Sequence, residues 1–218
     1  MATRAADTRS RRYDPAETRQ RVLEAANLLF STRGFVSTGT ADIARQADVS
    51  EGSIFYHFGS KKNLLVELGR MYGERMVEAM HLPGEDFADL EPGITIGRCF
   101  DYCAAHKAWE TIMSGGEGQD CETAFHNPEA EPFYQASRGV VLAWCEKQLE
   151  AQMARLGRTD VNIPVAASLT YAVVHDALDR AFAPGVDEAE REAIKIETIR
   201  FVRAAGGVPT EPRKPAND

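Results

Sequence analysis

Apolar residues recur at Val22, Ala25, Ala26, Leu29 and Phe30, the spacing of one buried face of an α-helix. Asp14-Pro15-Ala16-Glu17 supplies a start for it. Asp14 can cap, Pro15 suits the first helical position, and Glu17 sits where a capping box needs it. Arg33 and Gly34 supply the stop. A second helix follows with Thr40 as its expected cap, Asp42 in its first turn, and Ile43, Ala44 and Ala47 facing inward. Asp48 then falls in a tight turn that calls for a left-handed backbone. Ser50 caps a third helix, in which Ile54 and Phe58, four apart, share the inward face with Val49 against them. Gly59-Ser60 breaks the chain and Lys61-Lys62 opens a fourth helix, carrying Leu64, Leu65, Leu68, Met71, Tyr72 and Met76 to about His81.

Beyond residue 81 the pattern stays helical, without strand-like alternation. An acidic connector (82–91) leads to a segment at 92–114 with a break near His106, then a Gly- and acid-rich loop at 115–131. A long helix is expected over 132–156, and a final pair over 164–182 and 188–205, parted by Ala183-Pro184-Gly185. The expected fold is all-α. Residues 1–13 form a basic disordered arm, 14–61 a three-helix helix-turn-helix domain, 62–205 a helical domain and 206–218 a disordered tail.

The third helix carries the functional signal. With Ile54 and Phe58 turned inward, Glu51, Gly52, Ser53, Tyr56 and His57 point away from the core. Such a face suits phosphates and base edges. Thr40, Tyr56, Lys61 and, as the cap, Ser50 are the candidates for phosphate. Glu51, Gly52, Ser53 and His57 are the candidates for base edges. Two lysines opening the fourth helix are unfavourable against its dipole, which suggests an anion nearby.

Charge sharpens this picture. The net charge of −8 argues at first against nucleic acid. Residues 1–62, however, hold ten Lys/Arg against seven Asp/Glu, while the remaining 156 hold 15 against 26. A mildly basic head on an acidic body fits a protein that meets phosphate at one end. No run of about 18 apolar residues offers a membrane span, and the basic N-terminus lacks the apolar stretch of a secretory signal. A cytoplasmic protein is expected.

The segment from Gly34 to Leu65 resembles the N-terminal domain of the tetracycline-repressor (TetR/AcrR) family of bacterial transcriptional regulators. The matching residues are Gly34-Phe35, Thr40, Asp42-Ile43-Ala44, Ala47, Val49-Ser50, Gly52-Ser53-Ile54-Phe55, His57-Phe58, Ser60-Lys61 and Leu64-Leu65. Gly39, Asp48, Phe55 and Lys62 depart from the usual pattern, where Thr, Gly, Tyr and Glu are common. The resemblance implies a ligand-responsive regulator, most often a repressor, that binds a near-palindromic double-stranded DNA operator as a homodimer. Its last two long helices would pair with those of a second subunit. Two-fold symmetry would set the recognition helices about 34–36 Å apart, or a multiple of that.

An apolar effector pocket would draw on Met76, Phe100, Cys103, Trp109, Met113, Tyr134 and Trp144, with His175 as a polar contact. The alternative is a cysteine-based redox or metal sensor. Cys99, Cys103 and His106 lie at i, i+4 and i+7, without a fourth ligand or zinc-site spacing, and Cys121 in the loop is the better thiol candidate. Nucleophile-elbow, zincin and P-loop motifs are all missing, so no enzyme, metal or cofactor is expected.

Overall fold

The computed structural model describes residues 14–105 and 130–206, and among these it forms eight α-helices and no strand. In chain order they are α1 Pro15–Arg33, α2 Thr40–Ala47, α3 Glu51–Phe58, α4 Lys61–Met80, α5 Pro92–Ala105, α6 Glu131–Arg155, α7 Ile163–Ala181 and α8 Glu188–Ala205. The expected arm, the end of the 92–114 segment, the loop up to residue 129 and the tail beyond Gly206 lie outside the described residues.

Helices α1 to α3 and the first two turns of α4 close around one core of Val22, Leu23, Ala26, Phe30, Ile43, Ile54, Phe58, Leu64 and Leu65. Local chemistry sets the ends. The Asp14 carboxylate accepts from the Ala16 and Glu17 amides at the start of α1. Ser50 and Ser60 do the same for α3 and α4, accepting from Ser53 and Asn63. The cap of α2 is Gly39 rather than Thr40, which is the first helical residue. The Asp42 carboxylate completes that cap by accepting from the Gly39 amide at 3.3 Å. Asp48 adopts the left-handed turn (φ 52°, ψ 52°), and the Arg21 guanidinium stabilises it by donating to the Ala47 and Asp48 carbonyls.

The head does not end at residue 61. Leu68 of α4 and Phe133 of α6 belong to its core, so the expected boundary at 61/62 cuts through a continuous packing unit. What brings α6 so close is a pair of glycines on α4. A methyl on Gly69 would overlap the Phe133 carbonyl, and one on Gly73 would come within 2.8 Å of the Ser137 carbonyl oxygen and 3.0 Å of Val140 Cβ. The two backbones touch where a side chain would hold them apart.

The far end of α4 is fixed as firmly. His81, its C-cap, accepts from Trp144 Nε1 of α6 at 3.3 Å, and its other ring nitrogen lies 2.9 Å from the Glu85 carbonyl. Arg98 of α5 forks onto the Glu85 carboxylate at 2.7 and 2.8 Å and donates to the Met80 carbonyl. Those bonds to Arg98 hold the Glu85 carboxyl down at about 2. Behind this, α5, α7 and α8 pack through Ile96, Phe100, Ala177, Ala181 and Val202, and Arg203 pairs with Glu91.

Two predictions follow from this packing. Replacing glycine by alanine inside a helix ordinarily gains about 1 kcal/mol. Gly69→Ala should instead lose about 1–3 kcal/mol as the seam is wedged open, with a smaller loss for Gly73→Ala. Denaturant midpoints check both, and a stabilised Gly69→Ala would show that the seam is slack. On the head, Glu67 accepts from Arg70 and Arg19, and those bonds lower its carboxyl below the usual 4.5. Its contribution is therefore full above the ordinary carboxylate pKa and fades as pH falls through the lowered one. Glu67→Gln should flatten the acid limb of a pH–stability profile there, while leaving neutral-pH folding intact.

Candidate nucleic-acid interface and effector cavity

Helix α3 turns Glu51, Gly52, Phe55 and Tyr56 to solvent, with Ser53 and His57 half-buried beside them. Tyr56 is 77% exposed and stands opposite the buried Ile54 and Phe58, with its ring edge-on to His57 at 5.0 Å. Phe55 is 49% exposed on the same face. A half-exposed phenylalanine gains nothing from water, and its ring is the kind of group that meets a thymine methyl. Sequence reasoning noted Phe55 only as a departure from the family pattern. Its position four residues after Glu51 is the signal that puts it on the outward face beside the candidate base-edge residues.

Two candidate residues carry local bonds that sequence did not foresee. The Thr40 hydroxyl donates to the Glu51 carboxylate, tying the start of α2 to the start of α3. Lys61 does not need an external anion to account for its place. Its ammonium donates to the Phe35 carbonyl at 2.8 Å and the Thr38 carbonyl at 3.0 Å, and stands 4.1 Å from the centre of the Phe35 ring. It therefore braces the loop between α1 and α2 from behind. Thr38, fully buried, completes that brace by donating to the Gly34 carbonyl at 2.8 Å.

The second feature is a cavity of about 830 Å³ among α4, α5, α6, α7 and α8. Met76, Cys103, Tyr134, Trp144 and His175 line it. Phe100 does not. It packs instead against Phe182 at 6.2 Å, in the cluster that joins α5 to α7 and α8. Trp109, Met113, His106 and Cys121 lie outside the described residues. Phe133, Tyr171, Leu149 and Val141 also line the cavity. Sequence did not single out Phe133 among the aromatic residues, because an apolar residue on a helix face looks the same whether it meets core or cavity.

Charged groups in the wall are few. His175 lies 3.2 Å from the Asp179 carboxylate, which raises its pKa. Burial raises the Tyr134 phenol, and the Asp179 charge adds to that effect. Tyr171 is pushed up to about 12, mainly by burial. Burial also moves the wall thiols away from reactivity. Cys145 is raised to about 12, and Cys99, hydrogen-bonded with Cys103, is raised well above the ordinary thiol value. Thiols held protonated are poor nucleophiles and poor metal ligands. Among the described residues no cluster of three or more His, Cys, Asp or Glu is arranged to hold a metal ion.

Comparison with known proteins agrees with this geometry. Residues 22–68 match the model of the tetR family of bacterial regulatory proteins, a stretch that runs from within α1 to the middle of α4. The HTH-type transcriptional regulator AcrR of Shigella flexneri is 40% identical over 60 residues, 28% of this chain and 28% of that protein. The matched stretch thus spans little more than a quarter of that relative's length. The HTH-type transcriptional repressor NicS of Pseudomonas putida is 26% identical over 209 residues, covering 93% of this chain and 95% of that one. A TetR-family regulator structure from Syntrophomonas wolfei shares the fold over 94% of this chain and all of that one, with a TM-score of 0.65 at 15% identity. Residues 22–68 thus carry a domain of the tetR family of bacterial regulatory proteins, and the helical body behind them shares its fold with a TetR-family structure.

Proposed function

We propose that the protein is a homodimeric repressor that binds a near-palindromic operator and is released by a small apolar effector. The observation that carries this reading is the position of Phe133, which sits in the core of the DNA-reading head and on the wall of the cavity. Any ligand that moves that ring disturbs the packing behind the reading helix. To turn a population from 99:1 to 1:99, the effector must prefer the released state by about 10⁴-fold, or about 5.5 kcal/mol. Burying several wall side chains against a ligand is of that order.

On DNA, α3 enters the major groove. Gly52, Ser53, Glu51, His57 and Phe55 meet base edges, while Thr40, Ser50 and Tyr56 meet phosphates. Lys61 serves the backbone chiefly by holding the α1–α2 loop. Dimerisation runs through α7 and α8. Val165 and Leu169 on α7, and Ile196 and Phe201 on α8, are large apolar residues left 45–63% exposed, and a second copy would cover them. The protein acts in the cytoplasm, where its DNA target is.

Footprinting on the DNA that flanks its gene tests the reading. A protected, near-palindromic site is expected, and uniform weak binding with no protected site would count against it. Ser53→Ala and Phe55→Ala should change which bases are preferred. Lys61→Ala should weaken binding to all sequences alike and also lower thermal stability, because it removes the loop brace. Unchanged melting in Lys61→Ala would leave only the phosphate role. Val165→Lys with Ile196→Lys, two exposed residues off the cavity lining, should yield monomers in sedimentation, and an intact dimer would exclude this interface.

A further inference from the structure

A histidine bonded through both ring nitrogens stands where α4 ends. The Trp144 indole N–H can only donate, so His81 Nδ1, 3.3 Å away, holds its lone pair there. The Glu85 carbonyl can only accept, so Nε2, 2.9 Å from it, carries the ring's hydrogen. Together the two bonds select one form of the side chain, the neutral ring with its proton on Nε2. A further proton has one place to go, which is Nδ1, and there it meets the Trp144 N–H. Two donors make no bond with each other, so proton uptake and the Trp144 bond exclude one another.

We infer that His81 is a proton-operated latch: the neutral ring ties the end of α4 to α6, and protonation releases Trp144. The bond to the Glu85 carbonyl survives in both forms, because Nε2 donates in each. The connector sets Phe87 against the ring, 4.3 Å between centroids, and α6 sets Trp144 there, and neither carries charge. The charged groups nearby are the Glu85 carboxylate, which favours a positive ring, and the Arg98 guanidinium of α5, which opposes it. Their forked pair keeps both ionised while a histidine titrates. Glu78, one turn back on α4, is exposed to solvent. The latch is therefore closed at high pH and opens as pH falls through the titration of the ring. Through Leu64, Leu65 and Leu68 the same helix enters the core of the head, and Trp144 lines the cavity. The inference needs neither effector nor operator, and it stands apart from the proposed function.

Nitrogen-15 NMR of the full-length protein tests it in a Trp109→Phe background, which leaves Trp144 as the single tryptophan of the two in the chain. The indole N–H signal and the His81 ring nitrogens are followed from about pH 8 to about pH 5, the range in which histidine changes charge. The indole signal should move with the same midpoint as the ring, and its exchange with water should quicken about tenfold on losing one hydrogen bond. His81→Gln, whose amide can accept from the indole and donate to the Glu85 carbonyl, should hold the indole signal still across that range. His81→Phe, which can do neither, should show the released signal at every pH. An indole signal that stays put while the ring titrates, or that moves equally in His81→Gln, would overturn the latch. So would a ring that stays neutral until acid unfolds the protein.

Discussion

The close approach of α4 to α6 is the constraint on which the rest depends. Gly69 and Gly73 let the two backbones meet, and the contact sends Phe133 into the core of the head. Without that contact the head would be a small unit of three and a half helices, and the cavity would be walled off from it. With it, the reading helix, α4 and the cavity wall form one packed body. Close-packed interiors transmit displacement rather than absorb it. The bonds at the other end of α4, from Trp144 to His81 and from Arg98 to Glu85 and Met80, hold the same helix to the cavity's far half.

Under the proposed function, this arrangement lets the head respond to an effector it never touches. The head's own bonds, such as Arg21 on the Asp48 turn and Lys61 on the α1–α2 loop, make it stiff. A stiff head responds to α4 as a unit. An effector of the kind proposed would need only to change the register of α4 against α6, whose backbones meet at the glycine seam.

Much of the head was legible in the sequence because its signals are local. Asp14, Ser50 and Ser60 cap where their side chains must, and Asp48 takes the left-handed turn that its place between two short helices demands. Thr40 misled because a hydroxyl next to a helix start reads as a cap, while Gly39 with Asp42 three residues on does the work through backbone geometry. Lys61 misled for a related reason. A cation at a helix N-terminus looks unsatisfied in one dimension, and only the fold brings the Phe35 and Thr38 carbonyls to it. In the body, helix periodicity gave the elements and not their partners. Val165 and Leu169 are spaced as a core stripe yet face outward, and Phe100 is spaced like a pocket residue yet packs on Phe182. Long-range pairing decides both, and a 3.6-residue period contains no information about it.

Amide hydrogen exchange, with and without operator DNA, tests the central claim most directly. If the head and the cavity share one body through α4 and α6, DNA binding slows exchange in α1 to α3 and also along α4 and the first turns of α6. Protection confined to α1–α3, with α4 beyond Leu68 and α6 unchanged, would contradict it.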